Sequence, residues 1–403
     1  MLANRDRLAE GIARAGLDAL VATTAQNVEY AAGYDSERLH NFVALQAYAI
    51  VRPEGAPTIV LPSTEMVHLA SKGCEAGTVC RYGSFFVMRE PDVVLTAQEE
   101  RLVALMGETP AAPGPVEALA EALRSEGLAD GRIGIDEDNF SFVRAHELRA
   151  LLPSLRVEPA ARWFRFARMV KTEAEIGRLA EVARINEAAL AAALERTGVG
   201  ASEDEAYVAF RETMAKSGAT PRLWGTSSGR NSSCFFWPAD RRLENGDLVR
   251  IDCGGPRRGY WSDTGVTAVC GAPHPEHVRR YDALKLAIEA GVEAARPGAP
   301  VSAVAEAVMA VAAARGLPDL ERHHCGHGIG RELYEAPMLV RARARSDIFA
   351  GGFEDVTLEA GMVLNVEAPY YRLGFGGLHL EHTVLVRPGG PELLTGDRSL
   401  RIR

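Results

Sequence analysis

The sequence predicts an α/β domain followed by an α+β domain, and three observations carry that expectation. Residues 1–165 alternate short apolar runs with segments of helical period. A capping box, Thr172 with Glu175, then opens a long helix rich in Ala and Leu where the texture of the chain changes. Beyond it, strand pairs are interleaved with further helical segments. At about 150 residues per domain, a chain of 403 residues accommodates two domains, and the texture change places them at 1–165 and 166–403.

In the first domain Leu8 to Ala15 has helical spacing, and Leu17 to Ala22 reads as a short buried strand. Ala47 to Val51 and Thr58 to Leu61 flank a P-E-G-A-P turn and read as two more strands. Arg132 to Ile135, leading into Asp136, and Leu155 to Val157 are further strand candidates, the latter ahead of the basic-aromatic stretch Arg162 to Arg165. In the second domain Ser202 with Glu205 forms another capping box, and helical patterns recur over 277–295 and 302–315, the latter ending at Gly316. Strand pairs are expected at 246–252 with 260–269, and at 362–369 with 380–387.

Composition narrows the function classes. A net charge of −9 with no Lys/Arg cluster argues against nucleic acid as the main partner. No apolar run reaches the roughly 18 residues of a membrane span, and charged residues interrupt the N-terminus where a signal peptide would be apolar, so a cytoplasmic location without membrane attachment is expected. The six cysteines form no C-x-x-C pair, which suits free thiols in a reducing compartment.

Chemistry concentrates in three segments. In Leu248 to Asp263 an apolar strand ends in Asp252, a Gly/Pro turn reverses the chain, and a second strand presents Asp263. Carboxylates at the inner ends of strands are costly unless a cation or hydrogen bonds compensate them; a metal pair and a turn-capping pair both fit this segment alone. In His323 to Gly330, His327 stands between glycines that permit close backbone approach, although a lone imidazole is as readily a core hydrogen-bonding group. Glu367 and Glu381 interrupt apolar strands on either side of a Gly-rich turn, a second acidic hairpin. Four carboxylates and one imidazole make a coherent set for two divalent ions about 3.5–4 Å apart.

The motifs I-D-C-G-G (251–255), G-Y-W-S-D-T (259–264), G-H-G-I-G (326–330), G-M-V-L-N-V-E (361–367) and L-E-H-T-V-L-V (380–386) resemble, in order and spacing, the signature of the pita-bread family. That family includes methionine aminopeptidase, prolidase, aminopeptidase P and creatinase. Arg168 to Ile176 resembles the entry to its catalytic domain, and the first 165 residues resemble the creatinase/prolidase N-domain. The resemblance implies metal ligands Asp252, Asp263, His327, Glu367 and Glu381, with two ions of Mn, Co, Fe or Zn. It implies a metal-activated water as nucleophile, with Glu367 accepting its proton. It also implies a homodimer acting on a short peptide or small molecule.

Some positions depart from the family pattern. Tyr334 stands where its peptidases carry a histidine seven residues after the metal histidine, and Phe235 or Phe236 stands where a second histidine precedes the first acidic hairpin. The pocket wall is expected to be more aromatic, with Trp224, Phe236 and Trp237 among its liners. His379 occupies a position often held by arginine and is a candidate substrate contact; His323, four before His327, matches a family histidine and is a candidate catalytic residue with Tyr334. The resemblance thus implies an Xaa-Pro dipeptidase or aminopeptidase. The alternatives are a creatinase-like or ectoine-hydrolase-like C–N hydrolase, or a lyase, on a small non-peptide substrate, and a binding protein on a decayed fold.

Overall fold

In the computed structural model, which describes residues 2–42, 45–107, 111–234, 237–238, 240–342 and 355–403, the chain divides into two units, Met1–Arg168 and Met169–Arg403. Each has its own sheets and cores.

The short apolar runs of the first unit become a six-stranded sheet: β1 (Ala19–Ala22), β2 (Tyr48–Val51), β3 (Thr58–Pro62), β4 (Thr78–Tyr82), β5 (Arg132–Ile135) and β6 (Arg156–Pro159). Their order is β4-β3-β2-β1-β5-β6, with β1 antiparallel to β2 and parallel to β5. Successive side chains of a strand face opposite ways, and β1 serves two cores: Leu20 and Ala22 pack with helix Arg5–Ala15, Ala19 and Val21 with helix Pro115–Ser125. A sheet covered on both faces by helices is the α/β arrangement expected. β4 has no counterpart in the sequence reading because this edge strand is only partly buried and lacks a strong apolar run. Asp136, fully buried, accepts hydrogen bonds from Thr24 N at 3.0 Å and Asn27 Nδ2 at 2.7 Å and so anchors the start of helix Ala25–Ala32; its role is structural.

In the second unit both capping boxes form, opening helices Glu173–Leu194 and Glu203–Lys216. These helices cover one face of a sheet built from β7 (Leu223–Ser228), β8 (Leu248–Arg257) and β9 (Tyr260–Val269), in a core containing Ile185, Phe210, Ile251 and Val266. A second sheet holds β10 (Gly326–Gly328), β11 (Glu335–Met338), β12 (Val363–Glu367), β15 (Glu381–Arg387) and β16 (Gly390–Leu393), in the order β11-β10-β12-β15-β16. The ribbon β13 (Tyr370–Arg372) and β14 (Gly376–Leu378) links β12 to β15, and β17 (Arg401–Ile402) pairs with β9. Helices Pro275–Ala294 and Ser302–Ala314 pack on each other and on β12, with Val308 and Val366 meeting at Gly291. This is the layout that the resemblance to the pita-bread family implies.

Candidate metal centre

Strand registry brings the acidic residues to one place. Asp252 pairs with Gly265 and Asp263 with Gly254 across β8 and β9, so both carboxylates project from the same face, away from the helix-packed core. Glu367 lies directly opposite Glu381 across β12 and β15, and His327 opposite Asn365 across β10 and β12. Thr383 Oγ1 donates to Asp263 O at 3.4 Å and His379 N to Thr267 Oγ1 at 2.7 Å, which tie the two acidic hairpins together.

Asp263, His327 and Glu381 each offer a ligand atom within 4.8 Å of the others'. His327 Nε2 stands 3.5 Å from Asp263 Oδ2. His327 Nδ1 must donate its proton to Gly328 O at 2.9 Å, because a carbonyl only accepts, and this leaves the Nε2 lone pair facing the carboxylates. Asp263 Oδ1, His327 Nε2 and both oxygens of Glu381 are buried without a hydrogen-bond partner. Four electron-pair donors gathered in a buried site make a set suited to a cation. Hard oxygens with one imidazole fit a first-row divalent metal better than a thiolate-selecting one.

His379 connects the remaining carboxylates. Its Nε2 lies 3.1 Å from Glu367 Oε2 and its Nδ1 3.9 Å from Asp252 Oδ2. The ring fits because residue 265 is glycine: a Cβ there would stand 2.5 Å from the imidazole. The electrostatics follow. Burial raises the Asp252 carboxyl; His379 opposes this, the Asp263 and Glu367 charges add to it, and the outcome is about 7. Burial, then the charges of Asp263, Glu367 and Asp252, hold Glu381 well above the usual carboxylate range. Burial also pushes Glu367 upward, but the His379 hydrogen bond and the nearby imidazoles prevail and hold it at about 2.

Several residues lie elsewhere than the sequence suggests. Trp224 pairs with Cys253, one residue out of phase with Asp252, and its ring packs on Phe210 and Tyr207 in the helix-covered core; it does not line the site. His379 is 1% exposed, with one ring nitrogen on Glu367 and the other toward Asp252. His323 is exposed, while His324, given no role of its own in the sequence reading, is buried with Nδ1 3.6 Å from Glu367 Oε1. The chain bends at His323 and Cys325 ahead of β10, so the two-residue alternation that would group 323 with 327 does not hold there, and Gly326, with a φ of +127°, lies close against the Asn365 carbonyl. His324 Nδ1 accepts from Gly326 N at 3.2 Å, and burial pushes this imidazole down to about 4.

Tyr334 is at the site: its ring stacks on His327 at 3.8 Å and 19°, and meets His324 edge-on at 5.9 Å. Burial, reinforced by the four carboxylates, holds its phenol well above the usual range. Phe235 and Phe236 lie outside the described residues, and Trp237 is exposed. His382 turns to the opposite side of β15 from Glu381 and bonds Thr395 Oγ1 at 3.0 Å.

Two supporting groups also escaped the sequence reading. Lys171 forms a buried ion pair with Glu335 at 3.1 Å, and Glu335 accepts from Arg331 N at 2.9 Å, which fixes the turn that carries Tyr334. Arg398 donates to the backbone carbonyl of Glu381 at 2.7 Å and pairs with Glu187.

Residues 177–388 match metallopeptidase family M24, and residues 5–170 match the creatinase/prolidase N-terminal domain. The chain belongs to metallopeptidase family M24. Over 231 residues it is 31% identical to the Xaa-Pro dipeptidase of Pyrococcus furiosus, a region that covers 57% of this chain and 63% of that protein. It is 29% identical over 387 residues to the probable dipeptidase PepE of Mycobacterium bovis, covering 95% and 91% of the two chains. Among solved structures, dipeptidase PepE from Mycobacterium ulcerans superposes with a TM-score of 0.75 at 26% identity over 99% of this chain and 96% of that one. The Xaa-Pro dipeptidase from Bacillus anthracis superposes at 0.80 with 21% identity over 99% of each. Among the described residues no helix is long and apolar enough to cross a membrane.

Proposed function

We propose that this protein hydrolyses the amide bond of Xaa-Pro dipeptides with two divalent metal ions that Asp252, Asp263, His327, Glu367 and Glu381 would hold. The observation that carries the reading is the convergence of the buried, unpartnered acceptor atoms of Asp263, His327 and Glu381. Its position beside Glu367 and Asp252, in a family of metallopeptidases, supports it. The names of the relatives above give the substrate class and do not favour a non-peptide substrate.

When bound, such ions polarise the scissile carbonyl and lower the pKa of a coordinated water. The chain's own residues do the rest. His379 keeps Glu367 ionised and aimed into the site, so that Glu367 can accept the proton lost as the water oxygen bonds to the carbonyl carbon. The same carboxyl then returns that proton to the proline nitrogen as the C–N bond breaks, giving an amine and a carboxylate. The His327 ring, fixed by Gly328 O and by the Tyr334 stack, keeps its lone pair aligned through the cycle.

The test is turnover of Xaa-Pro dipeptides, longer Xaa-Pro peptides, creatine and ectoine by protein loaded with Mn, Co, Fe or Zn. The dipeptides should be cleaved, and chelation should stop the reaction. Cleavage of creatine or ectoine with no action on any peptide would overturn the substrate assignment.

A further inference from the structure

We propose that residues 84–95 of the first unit form the contact surface between two copies of this chain.

The segment reads S-F-F-V-M-R-E-P-D-V-V-L, a composition suited to a core, yet none of residues 83–107 is buried. Phe86, Met88 and Val94 are 86%, 93% and 92% exposed, and Val87 and Val93 are exposed as well. Both ends of the segment are held. Beside β4, Ser63 Oγ donates to Gly83 O at 2.7 Å. Ahead of helix Ala97–Gly107, Thr96 Oγ1 accepts from Glu99 N at 3.3 Å while Thr96 N donates to Glu99 Oε2 at 2.7 Å. That helix packs Leu102, Leu105 and Met106 against the core and leaves Val103 outside. Between the two anchors the chain turns at Pro91–Asp92, where Asp92 has a φ of +59°. Phe86 to Met88 lead into the turn, and Val93 and Val94 lead out of it. An anchored chain this apolar differs from the polar, low-hydrophobicity segments that remain solvated on their own.

The area suits a protein partner. Phe86, Val87, Met88, Val93 and Val94 together present about 600 Å² of apolar surface, the upper end of the largest patch on a typical monomer. A standard interface takes about 800 Å² from each partner, about 60% of it apolar, and these five side chains supply that share. The charges select the partner. Arg89, Glu90 and Asp92 stand at the turn among the apolar residues, and among the described residues none of the three makes an ion pair. A patch with both signs side by side complements itself: across a two-fold axis, Arg89 of one copy faces Glu90 or Asp92 of the other. A wholly basic or wholly acidic partner would leave one sign unmatched, and Glu90, Asp92, Glu99 and Glu100 oppose an anionic membrane surface.

The test is sedimentation velocity of the full chain over a range of micromolar concentrations. The wild type should sediment at twice the 43.4 kDa of one chain. Phe86→Asp combined with Val94→Asp places a carboxylate on each side of the turn and should weaken association by about 30-fold or more. Both side chains are exposed, so the circular dichroism spectrum should not change. Arg89→Glu should also weaken association, and adding Glu90→Arg and Asp92→Arg to it should restore the wild-type strength, because the signs then match again. A wild type that stays at 43.4 kDa, a double-Asp variant that associates as the wild type does, or a charge-swapped chain no better than Arg89→Glu alone would each overturn the proposal. So would a monomeric wild type that binds vesicles of anionic lipid. None of these measurements depends on the metal centre, so the proposal stands or falls apart from the functional reading.

Discussion

Replacing Asp252 by Asn isolates the electrostatic cost that the site imposes when no cation is bound. The Asp252 carboxyl is moved by burial, and by the Asp263 and Glu367 charges against the pull of His379, from its ordinary 3.8 to about 7. A pKa raised in the folded state means that folding takes up a proton between those values. Stability of the metal-free protein therefore falls as pH rises through that window, by about 1.4 kcal/mol per pH unit. The Asn variant lacks this penalty and keeps nearly the same shape. From pH 5 to pH 8 the metal-free wild type should lose about 3 kcal/mol relative to Asp252→Asn, with little further divergence above pH 8. Three of the four tryptophans, Trp224, Trp237 and Trp261, lie in the second unit, so denaturant titration followed by tryptophan fluorescence at the two pH values reports the relevant transition. Stability curves that stay parallel across this range would refute the argument that the cluster holds uncompensated charge. With metal restored the sign should reverse, and the wild type should be the more stable form.

Metal binding should expel protons, because Asp252 at about 7 and Glu381 well above the carboxylate range are largely protonated in the metal-free protein at pH 6. Calorimetric titration in buffers of different ionisation enthalpy should register at least one proton released per chain at pH 6, and affinity that weakens below pH 7. His379→Ala should lower metal affinity about 10- to 100-fold, and Gly265→Ala, whose added methyl enters the space of the same ring, should reproduce the effect; wild-type affinity in both would remove His379 from the supporting role. Lys171→Met removes the buried ion pair with Glu335 and should destabilise the second unit by about 3–5 kcal/mol, measured by denaturant titration.

The convergence of the site's side chains was legible because the carboxylates break apolar strands, and a charge in such a place is costly without compensation. Once β8–β9 and β12–β15 form in register, Asp252 and Asp263 share a face of one hairpin and Glu367 and Glu381 stand side by side on the other. Helix starts were legible for a similar local reason: Thr172 with Glu175 and Ser202 with Glu205 satisfy backbone donors within four residues. What escaped depends on contacts between distant segments. Trp224 belongs to the core because of its phase relative to Cys253, which the sequence of β7 alone does not set. The burial of His324 in place of His323 follows from the bends that precede β10, and that of His379 from the absent side chain of Gly265. Lys171 and Glu335 are 164 positions apart and look like ordinary surface charges until the fold closes over them.

The most direct test of the central claim is the metal content of the protein measured together with its activity. Chelator-stripped protein is titrated with manganese, bound metal is counted per chain by mass spectrometry of the elements, and hydrolysis of an Xaa-Pro dipeptide is followed at each point. The account predicts two ions per chain, activity that rises with occupancy, and no turnover by Glu367→Ala despite retained folding. Full activity in the stripped protein, or binding undisturbed when Asp263, His327 and Glu381 are replaced together, would contradict it.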